Sequence, residues 1–272
     1  MAGTSGISSS LFLFEKDMDD VESHELCGGS ACVYTHKAPD RERPNQDSLA
    51  LIPVTDERAV LCVADGMGGL PGGGRASQIA IQALAKSIAK ADDSESLRAA
   101  ILDGIENANE KILADETCGG TTLAVVELFG RVARPYHVGD SLILVTGQRG
   151  RIKAQAVPHS PVGYAFESGL IDEWEAMVHE ERHIVDNMVG SESMRIEIGP
   201  ELELAARDTL LIASDGLFDN LFQSEIVELI RKGHLERAAG ETVRLCSERM
   251  VETREGEPSK PDDLTLITFR VA

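Results

Sequence analysis

The sequence predicts an α+β sandwich, with mainly antiparallel sheets under helical cover. Three observations predict it. Short apolar runs of strand length stand in adjacent groups, separated by turns that contain glycine. Helical periodicity comes in pairs of segments, whereas a doubly wound fold alternates single strands with single helices. No segment recurs at the period of a solenoid.

The elements follow in chain order. Residues 1–27 are rich in Ser, Gly and acidic side chains and read as a flexible tail, whose apolar run Leu11 to Phe14 is able to dock on the domain. Ser48 to Pro53 and Ala59 to Ala64 are strand-like, and the second ends in Asp65-Gly66. A glycine-rich loop, Gly66 to Gly74, leads into apolar residues at helical spacing: Ala76, Ile79, Ala80, Ala83, Leu84 and Ile88. Leu97, Ile101, Ile105, Ala108 and Ile112 mark a second helix, and the two form a hairpin over one sheet face. Four strands are then expected, over 121–128, 131–138, 142–146 and 151–156. Pro135 has no N–H to donate, so its strand is expected to be irregular or at an edge. Residues 159–190 lack a clear period and form an excursion. A strand over 209–214 ends in Asp215-Gly216. Helices over 224–231 and 235–250 and a polar loop over 255–261 precede a last strand, 264–271.

The chain has 272 residues, enough for one large domain or two small ones. Acidic residues outnumber basic ones 46 to 26, for a formal charge of −20. That charge repels nucleic-acid phosphates and anionic lipid, so neither is expected as a partner, and it attracts divalent cations. The five cysteines, at 27, 32, 62, 118 and 246, form no CxxC pair and suggest neither a disulfide framework nor a zinc ribbon. Cys62 and Cys118 read as buried thiols. The N-terminal segment has neither the basic region nor the length of a signal peptide or membrane span, so a cytoplasmic location is expected.

The chemistry is carried by aspartates at strand ends. Asp65 follows Leu-Cys-Val-Ala, and Asp215 follows Leu-Leu-Ile-Ala-Ser. Asp140 lies between two strands, Asp262 and Asp263 precede the last strand, and Asp47 precedes the first. Strand ends place side chains rigidly, and carboxylate oxygens are hard ligands suited to Mg²⁺ or Mn²⁺. Taken singly, each Asp-Gly also reads as a turn, and spacing alone does not bring the sites together.

In order, Arg43-Pro-Asn-Gln-Asp47-Ser, Val63-Ala-Asp65-Gly-Met-Gly-Gly69, Gly119-Gly-Thr-Thr122, Val138-Gly-Asp140-Ser141, Ser214-Asp215-Gly-Leu-Phe-Asp-Asn220 and Asp262-Asp-Leu-Thr265 resemble the PPM, or type-2C, metal-dependent protein serine/threonine phosphatases, in their bacterial form. The resemblance runs from about residue 28 to the end. It implies one catalytic domain over 28–272, a four-layer α-β-β-α sandwich with helix pairs outside and metals in a cleft at one end, and a flap over about 161–184. It implies that Asp65 bridges two metal ions, that the Gly66 carbonyl is a further ligand, and that Asp215 and Asp262 complete the first site. Asp47 would act through water, and Asp140 would help to hold a weaker third ion. Arg43 or Arg41 would bind substrate phosphate. The implied reaction is hydrolysis of phosphoserine and phosphothreonine on proteins by a metal-bridged water, without a phospho-enzyme. The implied partners are phosphoproteins, targets of a serine/threonine kinase. Four positions depart from the family pattern: Gln46 stands for glutamate at the second metal, Arg43 is one residue closer to its motif, Met67 stands for a histidine, and Asp263 for an asparagine.

Other motifs compete weakly. No cysteine has arginine six positions later, so the Cys-x₅-Arg loop is absent. His179-Glu-Glu-Arg-His183 matches HExxH but has no third ligand in context. His159 and His183 read as ordinary polar residues. Asp17-Met-Asp19-Asp-Val21 matches the dehalogenase-type nucleophile motif but follows no buried strand. Gly66 to Gly74 lacks the lysine of a nucleotide P-loop. A catalytically weak, phosphatase-like binding protein is the alternative function, and Gln46 is its one argument.

Overall fold

The computed structural model describes residues 9–67, 72–91 and 97–272. Strands β1 (Leu11–Phe14), β4 (Ser48–Thr55), β5 (Arg58–Ala64), β6 (Leu123–Phe129) and β7 (Val132–Val138) form one antiparallel sheet in that order. The short strands β10 (Glu197–Ile198) and β11 (Leu202–Glu203) both pair with β7. A second antiparallel sheet runs β2 (Glu22–Leu26), β3 (Gly29–His36), β13 (Leu264–Val271), β12 (Thr209–Ala213), β8 (Leu142–Thr146) and β9 (Ile152–Gln155).

The packing follows from side-chain alternation. Leu49, Leu51, Leu61 and Val63 of the first sheet share one core with Leu144, Leu211, Ile267 and Phe269 of the second. On the other face of the first sheet, Ala50, Val60 and Cys62 pack under helices α1 (Gly73–Ile88) and α2 (Leu97–Leu113). The second sheet is covered by α6 (Gln223–Ile230) and α7 (Leu235–Val251), whose Ile226, Ala239 and Cys246 join the central core. The helix stripes read in the sequence face inward: Ala76, Ala80, Leu84, Ile101, Ile105 and Ala108 are all buried. This is the expected four-layer α-β-β-α sandwich.

Three expectations need correction. Residues 11–14 and 22–26, expected within a flexible tail, are edge strands of the two sheets, and Met18 between them is buried. Residues 1–8 of that tail lie outside the described residues, as do residues 68–71 of the glycine-rich loop. Pro135 is not on an edge strand. It sits where β10 gives way to β11, so its missing N–H coincides with a break in the ladder, and its carbonyl accepts from the Gly199 N–H at 2.9 Å. Cys62 is buried, but Cys118 is only half-buried.

The excursion contains α3 (Pro161–Glu167) and α4 (Glu173–Val178). Ser160 caps α3 and Asp172 caps α4 with a reciprocal Glu175 contact. Helix α4 stops at His179, whose backbone is extended. His179 and His183 therefore do not share a helical face, and the zinc-protease reading fails on geometry.

Candidate active site

Topology alone gathers the acidic segments. Ser48 pairs with Ala64, so Asp47 at the start of β4 and Asp65 at the end of β5 stand at the same end of the first sheet. Ala213 pairs with Leu266, which puts Asp215 after β12 beside Asp262 and Asp263 before β13 in the second sheet. The chain crosses between sheets from Val138 to Leu142, at the same end, and Asp140 rides on that crossing. Five segments distant in sequence thus converge on one rim of the sandwich.

Electrostatics registers the convergence. Burial pushes the Asp65 carboxyl well above the usual carboxylate range, and the charges of Asp47, Asp215, Asp262 and Asp140 push it further. Asp47 is raised for the same reasons, burial first and then Asp263. Burial and Asp215 lift Asp140 to about 7 and lift Asp219 and Asp262 to about 6. Carboxylates crowded in this way need positive charge nearby.

Part of that charge belongs to the chain. The Lys260 Nζ donates to Asp215 Oδ2 at 2.8 Å, donates to Asp219, and lies 3.6 Å from Asp262 Oδ2. Burial alone would lower its pKa, but Asp215 and Asp219 hold it above the usual lysine value. Arg43 Nη1 donates to Asp263 Oδ2 at 2.6 Å, and its Nη2 lies 3.6 Å from Asp262 Oδ1. Arg41 is exposed.

The other motif residues hold the backbone beneath these side chains. The Thr121 hydroxyl and the Thr122 N–H both donate to the Asp65 carbonyl, at 2.8 and 2.9 Å. The Thr122 Oγ1 accepts from the Asp65 N–H and meets the Ser141 hydroxyl at 2.6 Å, which links the Asp65 and Asp140 segments. The Ser214 hydroxyl donates to Asp47 Oδ2 at 2.7 Å and so joins the two sheets. Asn220 bonds both the carbonyl and the N–H of Lys260. Asp263 accepts from the N–H groups of Ala38 and Gln46 as well as from Arg43.

Both Asp-Gly pairs owe their glycine to close approach. A Cβ on Gly66 would lie 2.4 Å from the Gly73 backbone, and one on Gly216 would lie 2.0 Å from the Asp263 carbonyl oxygen. Neither has a positive φ, so the turn reading of these dipeptides is not what selects glycine here.

His159 also takes part, although the sequence marks it as ordinary. Its N–H donates to the Gly139 carbonyl at 3.0 Å, and its Nδ1 accepts the Gly139 N–H at 3.1 Å. The His159 backbone and ring together hold the residue before Asp140 by its carbonyl and its N–H. Accepting at Nδ1 leaves the proton on Nε2, which faces Glu197 Oε2 at 3.1 Å. Among the described residues, His137, His159 and Glu197 form the one trio whose ligand atoms all lie within 4.8 Å of one another; no three aspartates meet that distance. The two imidazoles are stacked, with centroids 4.3 Å apart and planes at 20°. Ring lone pairs lie in the ring plane, so a face-to-face pair aims poorly at one ion. We read this trio as the support of the Gly139 turn.

The protein phosphatase 2C family profile matches residues 37–252. A putative protein phosphatase 2C-type protein of Streptococcus pyogenes is 30% identical over 194 residues, covering 68% of this chain and 78% of that one. The S. agalactiae serine/threonine phosphatase structure superposes with a TM-score of 0.75 at 27% identity, covering 89% of this chain and 99% of that one. The catalytic domain of a phosphatase named PstP, solved with two manganese ions, shares the fold with a TM-score of 0.68 at 23% identity, covering 89% and 97%.

Proposed function

The chain belongs to the protein phosphatase 2C family and is a metal-dependent protein serine/threonine phosphatase; from that premise we propose that its chemistry runs at the acidic rim. Its substrates are phosphoproteins. We further assign it a cytoplasmic location and substrates made by a serine/threonine kinase. Among the described residues no helix is long and apolar enough to cross a membrane.

The observation that carries the assignment is the convergence of Asp47, Asp65, Asp140, Asp215 and Asp262 within mutual electrostatic reach. The donor set fits divalent ions: the oxygens are hard, and Asp47 Oδ1 and Gln46 Oε1 are buried without a partner. Asp65, the Gly66 carbonyl, Asp215 and Asp262 would hold two ions, Mg²⁺ or Mn²⁺. Asp47 and Gln46 would contribute from the side, through their unpartnered oxygens. Asp140, beside Asp219, would hold a weaker third ion. Bound divalent ions supply Lewis-acid charge and make water a competent nucleophile near neutral pH.

The chain's own groups position the substrate and tune the charge. Arg43 is the better placed of the two arginines to bind phosphate, because Asp263 anchors one end of its fork beside Asp262, whereas Arg41 is exposed. Ser214 orients Asp47, and Lys260 offsets Asp215 and Asp219. The weak binding-protein alternative gains no support beyond Gln46. The test is an assay on phosphoserine, phosphothreonine and phosphotyrosine peptides. Turnover should require Mn²⁺ or Mg²⁺, vanish with EDTA, survive thiol alkylation and favour phosphoserine and phosphothreonine. Full turnover after verified metal removal would refute the assignment.

A further inference from the structure

A cavity of about 120 Å³ opens directly beside the acidic rim. Asp140 and Asp219 belong to both, so the cavity and the acidic rim share a wall. Its floor is apolar: Leu142, Leu221 and Ile226 come from the domain, and Val162, Phe166 and Met177 come from α3 and α4. An apolar cavity of about 150 Å³ accommodates a benzene ring; this one is somewhat smaller, the size for one aliphatic side chain such as leucine.

A second observation concerns the same segment. Tyr164, Leu170, Trp174, Val178 and Ile184 are exposed, and they are five of the ten exposed large hydrophobics among the described residues. All five fall within 161–184. Half of the exposed large apolar side chains thus lie on the segment that walls the cavity. Elsewhere among the described residues such side chains are scattered and need no explanation.

We propose that this cavity is a substrate subsite that takes one large apolar side chain from the peptide flanking the phosphorylated residue. The proposal rests on the phosphatase reading of the acidic rim. The shared Asp140 and Asp219 wall sets the cavity beside the rim, and an extended peptide advances about 3.3–3.6 Å per residue, so the positions to scan are those next to the phosphoresidue. Glu167 and Glu173 join the two aspartates in the lining, with Arg182 its one basic residue. Acidic flanking residues are therefore disfavoured.

The test uses phosphothreonine peptides with Leu, Gly or Glu placed in turn at positions −2 to +2, assayed with Mn²⁺. One position should show kcat/KM about tenfold higher for Leu than for Gly, with Glu lowest, in line with burial of an aliphatic side chain. Ala176→Phe fills the cavity and should bring the Leu/Gly ratio near one. Met177→Ala enlarges it and should move the preference toward Phe. Thermal melts confirm that each variant is folded. A flat profile in the wild type, or an unchanged ratio in folded Ala176→Phe, overturns the subsite. If Ala176→Phe changed only self-association, a second copy would be the occupant and the proposal would fall. Absence of turnover on every peptide and on p-nitrophenyl phosphate would refute the phosphatase reading itself, and the subsite with it.

Discussion

Asp263 shows how a side chain one position from a proposed ligand acquires a different task. It is almost fully buried and accepts from two backbone N–H groups and Arg43. Asparagine, the residue the family pattern suggests there, would turn an NH₂ toward one of those donors. Asp263→Asn should therefore lower stability by about 1–3 kcal/mol and weaken phosphate binding through Arg43, read as a lower Tm and a raised KM. An unchanged melt would mean that these contacts add little. Asp65→Asn, Asp215→Asn and Asp262→Asn remove charge from the rim and spare the core, so each should cost about 100-fold or more in kcat, beyond what outer-shell changes cost, with a native circular dichroism spectrum. A near-normal Asp262→Asn beside a dead Asp263→Asn would reverse the register of the last motif. Gln46→Glu adds a charge where a buried amide oxygen lacks a partner, and should tighten Mn²⁺ about tenfold by titration calorimetry. Weaker binding would turn Gln46 away from the ions. Asp65 and Asp215 were legible because an acid after an apolar run is conspicuous, and Asp47, Asp140 and Asp262 because they stand in short motifs at strand boundaries. Lys260 was not, because a lysine in a polar loop looks solvated until the fold brings Asp215 and Asp219 to it. Nor was His159, whose grip on Gly139 spans 20 residues.

Strands β1 and β2 show which elements evade a composition argument. Glu22–Leu26 is mostly polar because an edge strand buries little, and three of its five residues are exposed. Its pairing comes from backbone groups, which every sequence carries. The interior strands and the helix hairpin were legible because they bury whole faces and so show their period. The short β1 places Leu11 and Leu13 against the central core and covers the edge of β4. Deleting residues 1–14 should lower Tm by several degrees, since about 1 kcal/mol shifts a domain of this size by roughly 2–4 °C. It should also promote association through the bared β4 edge. An unchanged Tm in a monodisperse truncation would show that β1 adds no stability.

At the scale of the whole molecule, the fold spends stability to gather like charges at one rim. Asp140 rises to about 7 and Asp262 to about 6 from the ordinary 3.8. Groups with raised folded-state pKa values contribute fully below the unfolded value, and that contribution is lost as pH rises through the folded values. Metal-free protein should therefore lose Tm between about pH 4 and pH 7, read by scanning calorimetry in chelator. Saturating Mn²⁺ should flatten the profile, because ions bind the ionised rim. A metal-free Tm that rises across this window would contradict the crowding. Spacing in the sequence could not have shown this crowding, because it arises only when two sheets pack with the same ends together. The central claim is that this rim, through its ions, hydrolyses phosphate esters of serine and threonine. The most direct measurement is phosphate release from a phosphothreonine peptide by wild type and Asp65→Asn, each stripped of metal and then titrated with Mn²⁺. Activity that appears only in wild type and only with metal is the predicted result. Equal turnover by the variant, or turnover by stripped wild type, would contradict the account.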